Sequence, residues 1–201
     1  SLDISGNAGV TGGATYVGKG TGSVGTVTMT GGTFSGGNNT SFHIGSNGSG
    51  TWTQSGGDVT ATGSVVVGRY SGSAGRLAIS GGNFSHTSAG SIFNVGMDGA
   101  GELVLSAGEL TLAGASGMTI GSGSPGFGTV ALDGGVLTAR RVQGGAGAST
   151  LTINGGTIRA GADAAGEAFM TGIGLATIQS GGVTIDSNGQ DLVIAQTLVS
   201  D

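Results

Sequence analysis

The chain has 201 residues, 48 of them glycine, with one proline, no cysteine, 8% charged residues and a formal net charge of −5. Collagen requires glycine at every third position and abundant proline. A hydrophobic share of 36% with so little charge argues against disorder. Six basic residues against eleven acidic ones give no surface for neutralising phosphates, so nucleic acid is not an expected partner.

No apolar run approaches the roughly eighteen residues of a membrane helix, so membrane insertion of this segment is not expected either. Without cysteine there is neither a disulfide nor a thiolate metal site.

In chain order, Ser1-Leu-Asp-Ile opens in mid-repeat, and the chain reads as a piece of something longer. Thr26-Val-Thr-Met-Thr-Gly-Gly-Thr-Phe34 then sets the unit: an alternating strand, a double glycine, a second short strand. The phrase returns at Thr51 to Val59, Arg76 to Phe84, Glu102 to Leu110, Thr129 to Leu137 and Thr150 to Ile158. A looser copy runs from Ala176 through Gly182, and Leu2 to Gly6 is a worn first copy. The leading glycine falls at Gly31, Gly56, Gly81, Gly134, Gly155 and Gly181, with Ala107 in that role once, so the period is about 25 residues.

Alternation of period two marks strands. Val27, Trp52, Leu77, Leu103, Val130 and Leu151 share one position; Met29, Gln54, Ile79, Leu105, Leu132 and Ile153 share the next inward one. Phe34, Val59, Phe84, Leu110, Leu137 and Ile158 share a third. A further strand precedes each glycine-rich corner: Ala14 to Gly18, Ser41 to Gly45, Ser64 to Gly68, Ile92 to Gly96 and Gly117 to Gly121. Three short strands per turn give an all-β, single-domain parallel β-helix (β-solenoid) over 1–201, of about eight coils and roughly 40 Å at sheet spacing. Asp163 to Met170 is too short for a stable helix and reads as an irregular corner insertion. In the last copy Ile178, Val183 and Ile185 stand off register, which requires a bulge or a differently shaped coil.

Val17-Gly-Lys-Gly-Thr-Gly-Ser-Val-Gly-Thr-Val-Thr-Met-Thr-Gly-Gly-Thr33 resembles the repeat of bacterial type V secretion passengers and PEP-CTERM-associated surface proteins. Ser180 to Ile194 is similar to the autotransporter-associated β-strand repeat. The resemblance implies a right-handed β-helix outside the cell or on a bacterial surface, in adhesin-like or matrix proteins. It carries over no catalytic residue.

Candidate chemistry is sparse. Asp58 and Glu109 share a position two coils apart with Asn83 between; Arg76 and Glu102, and Asp133 and Asn154, are neighbours suited to surface pairing. Asp186-Ser-Asn-Gly-Gln-Asp191 hints at a calcium loop but carries the Asn-Gly of a tight turn. Met97 to Glu102 is equally ambiguous, and Gly144 to Ser149 lacks the aspartate of a calcium roll.

His43, at an outward strand position, and His86, at a corner, read as surface residues. Thr-x-Thr pairs at Thr26, Thr51 and Thr150 form an interrupted array, which speaks against ice binding. Trp52, Phe42 and Phe93 point inward by alternation, and Tyr16 stands alone outside.

No catalytic, cofactor-binding or metal-binding residue is assigned, and no cofactor is expected. The expected function is a non-catalytic structural or adhesive segment, with a surface glycan or a host or matrix protein as partner. The alternatives are end-to-end self-association into an extracellular fibre and a polysaccharide-active β-helix.

Overall fold

Short runs of Val, Ile, Leu and Thr favour extended backbone, and frequent glycine disfavours helix. The computed structural model describes residues 1–201 except Asn39, Ala115, Asp163 and Ala165, and among these it has strands and no helix. The strands form a 13-stranded and an 8-stranded sheet, each pairing in parallel with its equivalent one turn on. Val27 pairs with Trp52, Trp52 with Leu77, Leu77 with Leu103, Leu103 with Val130 and Val130 with Leu151. The fold is a β-solenoid of about eight turns.

Each turn has three faces. The first two lie on either side of the double glycine, and the third is the 8-stranded sheet, from Thr15–Val17 to Val193–Ile194. Later turns divide at the double glycine, as Phe127–Leu132 then Val136–Ala139, and Ala148–Ile153 then Thr157–Ala160. In four earlier turns the strand continues through that corner, as Val24–Gly36, Ser49–Ala61, Ala74–His86 and Ala100–Leu112. There the ladder persists around the bend, with a register shift beside it at Met29/Thr30 and at Leu105/Ala107.

Two corner positions require glycine. The second of each pair is left-handed, with φ of 77° at Gly32, 79° at Gly57, 75° at Gly82, 79° at Gly108 and 69° at Gly135. The first position in four copies (Gly31, Gly56, Gly81, Gly134) is outside that region, but a Cβ on Gly81 or Gly134 would meet a carbonyl of the preceding turn; Ala107 takes this place where the ladder shifts register and it pairs with Ser80. The corner after the third face is stricter. Gly68 has φ of 75°, and a Cβ on it would fall on the Ala100 carbonyl of the next turn.

The inward positions form one continuous core. Its N-terminal half is aromatic: Trp52 lies 4.9 Å from Phe34 and 5.3 Å from Phe42 between ring centroids, and Phe84 lies 5.6 Å from Phe42 and 6.4 Å from Phe93. Such contacts are worth about 0.5–1.5 kcal/mol each beyond their area. Towards the C-terminus Leu110, Leu137 and Ile158 continue the stack. Gln54, fully buried between Met29 and Ile79, donates its amide to the Gly57 and Asn83 carbonyls, so a polar side chain satisfies corner backbone.

The last copy resolves its register by insertion. Ile178 pairs with Ile153 and Ile185 with Ile158, both in step with earlier turns. Ile178 and Ile185 stand seven positions apart and their partners Ile153 and Ile158 five, so the last copy carries two extra residues between them. An even insertion preserves which face points inward. The stretch expected to be a corner insertion also differs: Ala168–Thr171 is a third-face strand whose Phe169 and Met170 are buried. Its Asp163 and Ala165 lie outside the described residues.

Gly68→Ala and Gly72→Ala separate backbone strain from axial collision. Both glycines are left-handed, at 75° and 79°, but a Cβ on Gly72 meets nothing. Denaturant unfolding should show a loss of about 1–2 kcal/mol for Gly72→Ala and a clearly larger one for Gly68→Ala. Equal losses would show that close approach of neighbouring turns does not constrain the corner.

Candidate functional site

The solenoid converts a 25-residue spacing in sequence into contact along the axis, so charged groups meet their counterparts one turn away. Asp58, Asn83 and Glu109 form one row, and Asn83 donates its amide to Asp58 at 2.8 Å. Glu109 instead accepts from Thr111 on its own strand. Arg76 and Glu102 make the expected ion pair, 2.9 Å apart. With both side chains more than two-fifths exposed, that pair is worth about 0–1 kcal/mol. Asn154 turns its oxygen to the Gly181 N–H of the following turn rather than to Asp133.

Asp186 accepts from Arg159 Nε at 2.7 Å and from the Asn188 N–H, and both bonds hold its carboxyl below the usual carboxylate range. Asn188 and Gly189 are both left-handed, and Gln190 N–H closes onto the Ser187 carbonyl, so Asp186 to Asp191 is a tight turn. Among the described residues no three His, Asp or Glu side chains are close enough to share a metal ion.

A groove of about 370 Å³ runs along the axis beside the first face. Its floor is the buried ladder Gly50, Gly75 and Gly101; Arg76, Glu102 and the half-exposed Phe127 line its wall. The two charges neutralise each other. The threonine rows on this face are broken by Arg76, Glu102, Ala78 and Val104, as the sequence indicated.

The histidines correct the sequence reading, because both are buried, at 2% and 1% exposure. His43 does sit on the outer side of the third face, in the row Tyr16, His43, Val66, Asn94. Arg69, following the corner glycine of the next turn, folds back over it and donates Nη1 to His43 Nε2 at 2.6 Å. The neutral tautomer therefore carries its proton on Nδ1. Burial, reinforced by the Arg69 charge, pushes the His43 pKa down to about 4.

His86 is an inward residue at the end of Ala74–His86, stacked between Ala61 and Leu112 and tilted against Phe93. Its Nε2 bonds Ser91 Oγ, and burial lowers its pKa against the opposing pull of the Gly63 backbone.

Tyr16 is not solitary either. It packs edge-on against His43 at 5.2 Å and carries the Lys19 ammonium 4.5 Å from its ring centre. Trp52, Phe42 and Phe93 are fully buried, as alternation required. The residues overlooked by sequence reasoning are Lys19, Arg69, Tyr70 and Phe127. For the first two a signal existed: each follows the corner glycine of its turn, at Gly18-Lys19 and Gly68-Arg69.

Histidines held neutral make stability acid-sensitive. The unfolded chain takes up a proton near pH 6.5 and folded His43 only near pH 4, so stability is complete above about pH 6.5 and falls as pH drops towards 4. The loss assigned to His43 is on the order of 3 kcal/mol. Unfolding measured from pH 7 to 4 should show a shallower slope for His43→Gln than for the parent, with His86 supplying part of the remainder. An unchanged slope would show that His43 is not held neutral.

Compared with protein-family models, curated proteins and solved structures, the chain matches none.

Proposed function

We propose that the chain is a non-catalytic structural and adhesive β-solenoid segment, displayed outside the cell or on a bacterial surface, with a glycan or matrix protein as its partner. One observation carries the reading: the polar groups pair along the axis. Asp58 meets Asn83, Arg76 meets Glu102 and Arg159 meets Asp186, each between neighbouring turns. These bonds join turn to turn instead of converging on a reacting atom. Glycoside hydrolysis needs two carboxyl groups about 5–9.5 Å apart across one bond. Asp58 and Glu109 lie two rungs apart, roughly 9.5 Å along the axis and at the outer limit of that range, with Asn83 bonded to Asp58 between them.

Incubation with acidic polysaccharides should release no new reducing ends and no unsaturated sugars, and Asp58→Asn and Glu109→Gln should behave like the parent. Cleavage that either substitution abolishes would replace this reading with the enzymatic one.

A further inference from the structure

The residue after each third-face corner glycine occupies a fixed outer row: Lys19, Ser46, Arg69, Met97 and Ser122. Backbone bonds hold the row, from Ser46 N–H to Gly18 O, Arg69 N–H to Gly45 O and Met97 N–H to Gly68 O. Two cations therefore stand on one face, two turns apart. Together with Tyr16, His43, Asn47 and Tyr70 they line a depression of about 220 Å³.

The charge accounting singles out this place. Of the six basic residues, Arg76 pairs with Glu102, Arg140 and Arg141 with Glu167, and Arg159 with Asp186. Lys19 and Arg69 are the other two, and neither meets a carboxylate within ion-pair distance among the described residues. Asp98, which follows Met97 in the next turn, lays a carboxylate oxygen beside Gly123, one turn further from Arg69. His43 Nδ1, which carries the proton because Nε2 accepts from Arg69, and Arg69 Nε have no hydrogen-bond partner, but both atoms are buried out of a ligand's reach. Two cations without a carboxylate partner lining one depression mark a place for an acceptor with negative charge.

We propose that this depression binds one uronate residue of an acidic polysaccharide; the proposal rests on reading the rod as a binding rather than a cleaving element. The Arg69 guanidinium and the Lys19 ammonium receive the carboxylate; Asn47, whose Nδ2 donates to the Lys19 carbonyl, keeps its side-chain oxygen to accept from a ring hydroxyl. Tyr70, 42% exposed with Arg69 4.8 Å from its ring centre, offers an aromatic face to the apolar side of the sugar. The volume is below the roughly 300–1,000 Å³ of drug-sized sites, which suits one sugar unit with the rest of the polymer outside.

The test is calorimetric titration of the chain with trigalacturonate, with the same trisaccharide reduced to its neutral alcohol form, and with inorganic phosphate. Saturable binding of trigalacturonate is expected, with the neutral form at least tenfold weaker. Lys19→Gln and Arg69→Gln should each weaken binding about tenfold or more, as loss of a charge-assisted bond predicts. Arg76→Gln removes the same charge from the distant groove and should change nothing. Lys19 is exposed, so its substitution leaves the fold intact even if Arg69→Gln disturbs His43.

Absence of trigalacturonate binding, equal binding of the neutral form, or full binding by Lys19→Gln would each overturn the proposal. So would phosphate binding as tight as the uronate, because the sugar would then contribute nothing. Chromatography of the recovered ligand separates the two readings: intact trigalacturonate leaves the non-catalytic function standing whether or not it binds, and shortened products would overturn that function independently.

Discussion

The parallel backbone ladder between successive turns is the constraint on which everything else depends. A turn of some 25 residues encloses too little apolar surface to fold alone, and its backbone groups need partners above and below. Pairing Val27 with Trp52, Trp52 with Leu77 and so on closes both requirements together. It also fixes side-chain register, so a residue's neighbours are those one period away in sequence. Gln54, bonded to the Gly57 and Asn83 carbonyls, shows the same axial logic inside the core.

Close stacking makes the corners demanding. At Gly68 a side chain would meet the next turn's carbonyl, while at Gly72 the same backbone conformation faces open space. Glycine therefore serves two distinct purposes here, conformational freedom and axial clearance, and only the first is visible in a φ angle. The exchange of Gly for Ala107 falls where the left-handed conformation is absent. The insertion between Ile178 and Ile185 is likewise confined to a corner and keeps the inward face inward.

For function, the same ladder spreads chemistry along an axis. Four of the six basic side chains find a carboxylate on the adjoining turn, which stabilises the stack weakly. Lys19 and Arg69 depart from this pattern, with Arg69 bonded to a neutral imidazole rather than to a carboxylate. The surface is thus extended and repetitive, with a local exception at Lys19 and Arg69.

The sequence by itself determined the fold class, the period, the inward positions and the strands of the third face, because period-two alternation and recurring glycines are local signals that stacking must obey. It also determined that Asp58, Asn83 and Glu109 share a row, since equal spacing in a solenoid means axial alignment. Burial of His43 and His86 was decided by tertiary structure. His43 is covered by a side chain from another turn, 26 residues away, and His86 turns inward at a strand end that composition reads as a corner. The joining of the first two strands through the double glycine, and the depression around Lys19, Arg69 and Tyr70, were settled the same way, because they depend on how loops fold back across turns and not on the repeat that generates them.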